Sequence, residues 1–357
     1  MNNSSPTSTE DLESLRARVA VSTKFAWIAV SGLTAIAARE QGEKALNDLW
    51  RMLMSAEQKT RFLEALKKLG IDQGPPATIA ARYHYFSNSI GGLTMHYIEE
   101  TPKKVWIRYL APWGSYPGIS ALLVPPSVRR TILTTWHPRN GELLGCPRLG
   151  WVVTKFVSEG HPYDEGYFYE SDHDLAPEER FRVEAVEHSP EFDPAKAPKL
   201  DPVAWPEARW LKGNHNYAVD YLDHVLQIME RMFGTLVASQ LIERGMRMLA
   251  VQYTADLART AGITGTDICA ISGLFAAILR SFKTKVELRQ SPGRATLTFA
   301  DFPPYGHIGS ADMRTAFFAF FAMAVRVLNG RVSIARETGA PHKAETWTLV
   351  DEKVWLW

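Results

Sequence analysis

The chain is poor in cysteine. Among 357 residues there are only Cys146 and Cys269. Two thiols exclude a disulfide scaffold and a cysteine-only zinc site. An excess of one charge is also absent: the formal net charge is +1. That argues against a dedicated nucleic-acid binder, because neutralising phosphates needs a concentrated basic surface. Long apolar runs are missing too. Phe25 to Ala38 is interrupted by Ser31, Gly32 and Thr34, and Ala316 to Val325 stops at Arg326. Spanning a bilayer takes about 20 apolar residues, so both segments read as core helices and no membrane partner is expected. The start, Met1 to Thr9, is polar and has no basic leader. With unpaired thiols, this suits the cytoplasm.

Complete catalytic motifs are lacking as well. There is no His-Glu-x-x-His, Cys-x-x-Cys, Gly-x-Ser-x-Gly or phosphate-binding Gly-x-x-x-x-Gly-Lys-Ser/Thr. No Gly-x-Gly-x-x-Gly follows a strand, so a Rossmann cofactor has no support, and the cofactor stays unknown. What the chain does have in quantity is aromatic residues: 11 Trp, 12 Tyr and 16 Phe.

The spacing of apolar residues predicts an α+β protein of two similar modules. After a frayed tail over 1–9, helix formers dominate 10 to 70, closed by Gly70. Leu93 to Ile98 and Val105 to Leu110 alternate as a hairpin. Ser127 to Trp136 reads equally as helix or strand. Leu149 to Ser158 is a short apolar segment, and strands are expected within 166–186. The first module therefore covers 10–186. Residues 187–210 carry Pro190, Pro194, Pro198, Pro202 and Pro206. This run is either an interdomain linker or a strap across one domain. The second module, 211–357, repeats the order: a helical stretch from Tyr217 to Arg259 interrupted at Gly234 and Gly245, a helix capped by Asp267, a hairpin, a helix from Ser310, and a closing hairpin. Glu40-Gln41-Gly42 to Leu46 echoes Glu243-Arg244-Gly245 to Leu249. A duplication would place a pocket between packed modules.

The closing stretch Arg331-Val332-Ser333-Ile334-Ala335-Arg336-Glu337-Thr338-Gly339-Ala340-Pro341-His342-Lys343, with the helix and hairpin before it, resembles a group of small α+β domains. The group comprises the L-2-amino-thiazoline-4-carboxylate hydrolase-like family and the 4-vinyl reductase ligand-binding domains. The resemblance covers about the last 150 residues and is one of pattern. It implies a small-molecule pocket with hydrolytic chemistry or ligand sensing. The closing hairpin lacks the cysteine of the 4-vinyl reductase type, which puts a thiolate metal site there in doubt.

The densest polar segment runs from His161 to Asp174. There His161, Asp164 and Glu165 stand beside Tyr163 and Tyr167, on what reads as a loop. Carboxylates next to imidazoles supply acid/base pairs or metal ligands; a solvated acidic loop is the plainer alternative. His96 sits mid-strand, where alternation sets it on one face with Thr94 and Ile98. His84 is a conceivable partner for it. Cys146 is either a nucleophile helped by Arg148 or His137, or a small buried hydrophobe. Cys269 reads as core. The catalytic candidates are thus His96, His161, Asp164, Glu165 and His342. Substrate contacts are expected from Trp106, Tyr109, Trp113, Arg148, Tyr163, Tyr167 and Arg336, with Arg148 or Arg336 taking an anion. No metal ligands are assigned. The expected function is an enzyme with hydrolase- or lyase-like acid/base chemistry on a small aromatic or apolar substrate bearing a polar group. The alternatives are a non-catalytic small-molecule sensor and a non-haem iron or manganese oxygenase. A homo-oligomer is compatible with any of these.

Overall fold

The computed structural model is a mixed helix-and-sheet protein. It describes residues 11–110, 125–300, 302, 310–337 and 345–357. The chain divides into two compact units: Thr34–Trp205, and Pro206–Trp357 together with Met1–Leu33. The first helical stretch, α1 (Leu12–Leu69), therefore contributes to both. By length and composition α1 is apolar enough to cross a membrane, and 67% of its most apolar window is buried. Asp11 starts it, accepting from the Ser14 amide at 2.8 Å. Gly42 (φ 84°, ψ 171°) breaks it into two runs. Gly70 (φ 68°) ends it, with Ile71 N–H donating back to Leu66 C=O at 3.0 Å.

In the Thr34–Trp205 unit, α2 (Pro76–Ile90) begins with proline at its first position, where no amide is needed. Then come β1 (Met95–Thr101), β2 (Lys104–Leu110), α3 (Pro126–Trp136), the short α4 (Asn140–Leu143), β3 (Leu149–Lys155), β4 (Tyr163–Glu170) and β5 (Phe181–Val183). Ser127 to Trp136 thus resolves as helix. The sheet order is β1-β2-β4-β3-β5, antiparallel except for the β3–β5 pair. One face carries Tyr97, Val105, Ile107, Tyr109, Trp151, Val153 and Phe168, packed with Ala77, Ala80 and Ala81 of α2 and Leu133 of α3. Three alanines let α2 lie close to the strands. The opposite face carries Ile98, Trp106, Val152 and Tyr167. Strand alternation alone produces this split.

The proline-rich run is a strap rather than an interdomain linker as far as Trp205. It belongs to this unit, and Phe192 packs on the second sheet face. The unit's tightest spot is Gly166. A Cβ there would lie 2.4 Å from Val152 O and 2.6 Å from the Trp151 ring. Only glycine admits that ring over β4.

In the other unit, residues up to Leu33 join α5 (Glu207–Thr260), α6 (Ile268–Ser281), β6 (Val286–Ser291), β7 (Arg294–Phe299), α7 (Ala311–Leu328), β8 (Val332–Glu337) and β9 (Glu345–Asp351). Gly234 (φ 75°, ψ 157°) breaks α5, whereas Gly245 lies inside unbroken helix, contrary to expectation. The sheet order is β6-β7-β9-β8, antiparallel throughout. Its core is aromatic: Phe25, Phe275, Phe317, Phe318, Phe320, Phe321 and Trp347, with edge-on contacts such as Phe25–Phe320 at 5.0 Å. The phenylalanine run of α7 is plain core, as consecutive buried positions require. Cys269 is exposed, which corrects the expectation that it is core; on α6 it lies off the buried stripe of Ile268, Ile271, Ser272 and Phe275.

Candidate functional site

A buried polar cluster lies on the helix-facing side of the five-stranded sheet. His84 comes from α2, Tyr109 from the end of β2, Arg129 from α3, and His137 from the turn after it. Asn140 comes from α4, Gln58 from α1 and Asp164 from β4. The helical positions follow from spacing. Ala77, Ala80, Ala81, His84 and Asn88 recur at three- and four-residue intervals and share one buried face. Val128, Arg129, Ile132, Leu133 and Trp136 do the same on α3.

The hydrogen bonds have a direction. Gln58 Nε2 donates to Trp136 O (2.8 Å) and Asn140 Oδ1 (3.3 Å). Asn140 Nδ2 donates to His84 Nε2 at 2.8 Å. A neutral His84 then carries its proton on Nδ1, facing Tyr109 Oη at 3.3 Å. The Tyr109 hydroxyl in turn donates to His137 Nε2 at 2.8 Å. The two imidazoles stack at 4.1 Å and 11°. Trp151 stacks on His137 at 4.3 Å, and Phe168 lies 5.5 Å from His84.

Both imidazoles are neutral. Burial lowers His84 from 6.5 to about 3. Burial also drives His137 far down, helped by His84 and Arg129 and opposed by the Leu133 backbone. Arg129 is pushed down to about 9 by burial, while Tyr109 pulls the other way. Arg129 forms a buried ion pair with Asp164, which also accepts from Val157 N at 2.9 Å.

The second sheet face carries a separate cluster around Glu165. This carboxylate accepts from Arg108 Nε (2.6 Å), Lys155 Nζ (2.6 Å), Thr154 Oγ1 (2.9 Å) and the strap's Ser189 Oγ (2.7 Å). Burial pushes its pKa up, but these bonds outweigh it and hold the carboxyl below its ordinary value. His96 stacks on Phe192 at 3.7 Å and 8°. Burial and Arg108 lower its pKa.

The residues singled out from sequence are therefore dispersed. His161 to Asp174 is mostly strand β4 rather than loop, so Asp164 and Glu165 point to opposite faces. Tyr109 and Asp164 join the buried cluster. His96, Trp106, Tyr163 and Tyr167 lie with Glu165. His161 and Arg148 are exposed. Arg336, in the other unit, donates to Glu345 at 2.8 Å. Trp113 and His342 lie outside the described residues. Cys146 is buried in the apolar core. His84 meets His137, not His96. Arg129, Asn140 and Gln58 were not anticipated, and His84 and His137 were named only for other pairings. The spacing of Ala77, Ala80, Ala81, His84 and Asn88 is the signal in the sequence that could have found His84, rather than a pairing with His96 on an adjacent strand. Among the described residues, no group of three His, Cys, Asp or Glu side chains is arranged to hold a metal ion. No family model, curated protein or solved structure matches the chain.

Proposed function

We propose that the chain is a duplicated α+β protein whose Thr34–Trp205 unit binds a small molecule, as a sensor rather than a catalyst. The observation that carries this reading is the buried His84–Tyr109–His137 chain beside Arg129. The cluster's donors and acceptors bond one another and Arg129 pairs with Asp164, beside Trp136, Trp151 and Phe168, so a ligand would exchange for partners already present. That chemistry suits a flat apolar or aromatic ligand with an anionic or polar group. Sensing is favoured over turnover because an imidazole near 3 is a weak base at neutral pH. Glu165 is engaged by two cations, and Asp164 by Arg129. The resemblance to 4-vinyl reductase ligand-binding domains supports the same class.

Duplication is supported by topology. In each sheet the first hairpin is followed by the fourth strand and then the third, β1-β2-β4-β3 and β6-β7-β9-β8, with β5 added at the edge of the first sheet. Gly42 and Gly234 break their helices with matching φ and ψ, and each stands the same number of residues before a positive-φ glycine, Gly70 or Gly262. Gly234, not Gly245, is thus the counterpart of Gly42. Where Tyr109 pairs with Asp164, Phe299 pairs with Glu345. The second unit also pairs an acid with an arginine here, Glu345 with Arg336, but Arg336 comes from strand β8 where Arg129 comes from helix α3.

The test is to denature protein purified without added ligand and identify released compounds by mass spectrometry. A panel of aromatic carboxylates is then screened for a raised unfolding temperature. Tyr109→Phe should keep the fold and reduce the shift. If nothing is released and no compound raises the unfolding temperature, the cluster is a structural polar core.

A further inference from the structure

The proline-rich strap is held to the second sheet face at three points. Lys104 Nζ donates to Glu187 at 3.2 Å. Ser189 Oγ donates to Glu165 at 2.7 Å and accepts from Arg108. Phe192 stacks on His96 at 3.7 Å and 8°, and packs with Ile98, Trp106, Val152 and Tyr167. Mild acid leaves the Ser189 contact intact, because the donors around Glu165 outweigh its burial and hold the carboxyl below its ordinary value. His96 differs. Its Nδ1 is buried and has no hydrogen-bond partner among the described residues. Directly opposite it on β2 is Arg108. Beyond Arg108, on β4, stands Glu165, whose oxygens already accept from Arg108, Lys155, Thr154 and Ser189. The strap's acids beside Phe192 are placed otherwise: Glu191 is exposed, and Asp193 accepts from the Ala195 amide at 2.9 Å. His188 is exposed on the strap.

An unpaired lone pair on a neutral ring costs little. A proton on Nδ1 makes it a buried, charged donor without an acceptor, opposite a guanidinium. Burial and Arg108 accordingly hold this imidazole below its ordinary value of 6.5. We propose that His96 is an acid-released latch: protonating its ring lifts Phe192 and the strap around it from the sheet, uncovering Ile98, Trp106, Val152 and Tyr167. The released ring is hydrated and takes up its proton at the ordinary value. The closed strap is therefore fully stabilised above that pH and loosens as the pH falls towards the lowered one. The latch lies on the sheet face opposite the His84 cluster and does not depend on a ligand there.

Hydrogen exchange of the full chain, read by mass spectrometry at about pH 7.5 and about pH 5, tests this. Each rate is divided by that of an unstructured chain at the same pH. Protection over 184–194 should fall about threefold or more at the lower pH, since the equilibrium shifts by up to about tenfold per pH unit between the two pKa values. His96→Phe keeps a ring against Phe192 but cannot titrate. It should abolish that fall and leave the β4 amides exchanging as in the wild type at each pH. Phe192→Ala should leave the strap poorly protected at both pH values, and His188→Gln should change nothing. Four results overturn the proposal. The first is strap protection that is equal at both pH values or rises in acid, as attraction of an imidazolium to the Phe192 ring would produce. The second is a wild-type fall in His96→Phe, and the third is loss of the fall in His188→Gln. The fourth is strap amides that exchange only as fast as those of β4, which would mean that the strap opens only with the whole unit.

Discussion

Acid should destabilise the Thr34–Trp205 unit, and His84 should carry a measurable share of the loss. Its imidazole titrates at about 3 in the folded protein, against 6.5 as the ordinary value. The unfolded chain therefore binds the extra proton between those two values. Stability is complete above pH ~6.5 and falls as the pH drops towards ~3. One pKa unit corresponds to about 1.4 kcal/mol, so going from about pH 7 to about pH 5 removes about 2 kcal/mol through His84 alone. His137, also lowered by burial, adds in the same direction. The informative variant is His84→Gln, which accepts from Asn140 and donates to Tyr109 without titrating. It should lower stability at neutral pH by a modest amount and flatten the acid slope by about 2 kcal/mol. Urea unfolding followed by circular dichroism at both pH values reads the slope. His215→Gln is the control in the other unit: burial, Lys283 and Arg18 lower His215 to about 4. A His84→Gln protein with the wild-type acid slope would refute the buried, neutral imidazole.

Gly166→Ala should destabilise the same unit by about 1–3 kcal/mol, because the new methyl meets the Val152 carbonyl and the Trp151 ring; a thermal melt unchanged from wild type would show that the strand has room. Asp164→Asn should cost about 3–5 kcal/mol, since it leaves Arg129 charged and buried. Adding Arg129→Met should recover part of that loss, and a double-mutant cycle in urea measures the coupling. Additive losses would mean that the two groups do not interact.

Much of the architecture was legible in the chain itself. Alternation from Thr94 to Ile98 and from Val105 to Leu110 set which side chains share a sheet face, because successive strand residues point oppositely. Asp267 and Ser310 marked two helix starts, and their side chains accept from Ala270 N and Met313 N. Gly70 marked a helix end. The all-round apolar character of Phe317 to Phe321 fixed that helix as core. The site was less legible. A dense polar segment looked like one locus, yet β4 sends Asp164 to the helices and Glu165 to the strap. Period two divides neighbours that composition groups together. Nor does local sequence say that His84, Tyr109 and His137, from a helix, a strand end and a turn, meet around one hydroxyl. Pairing β2 with β4 and laying α2 and α3 on that face decided it. The low pKa values of His84 and His137 come from the same packing, since water exclusion belongs to the fold and not to any residue in it.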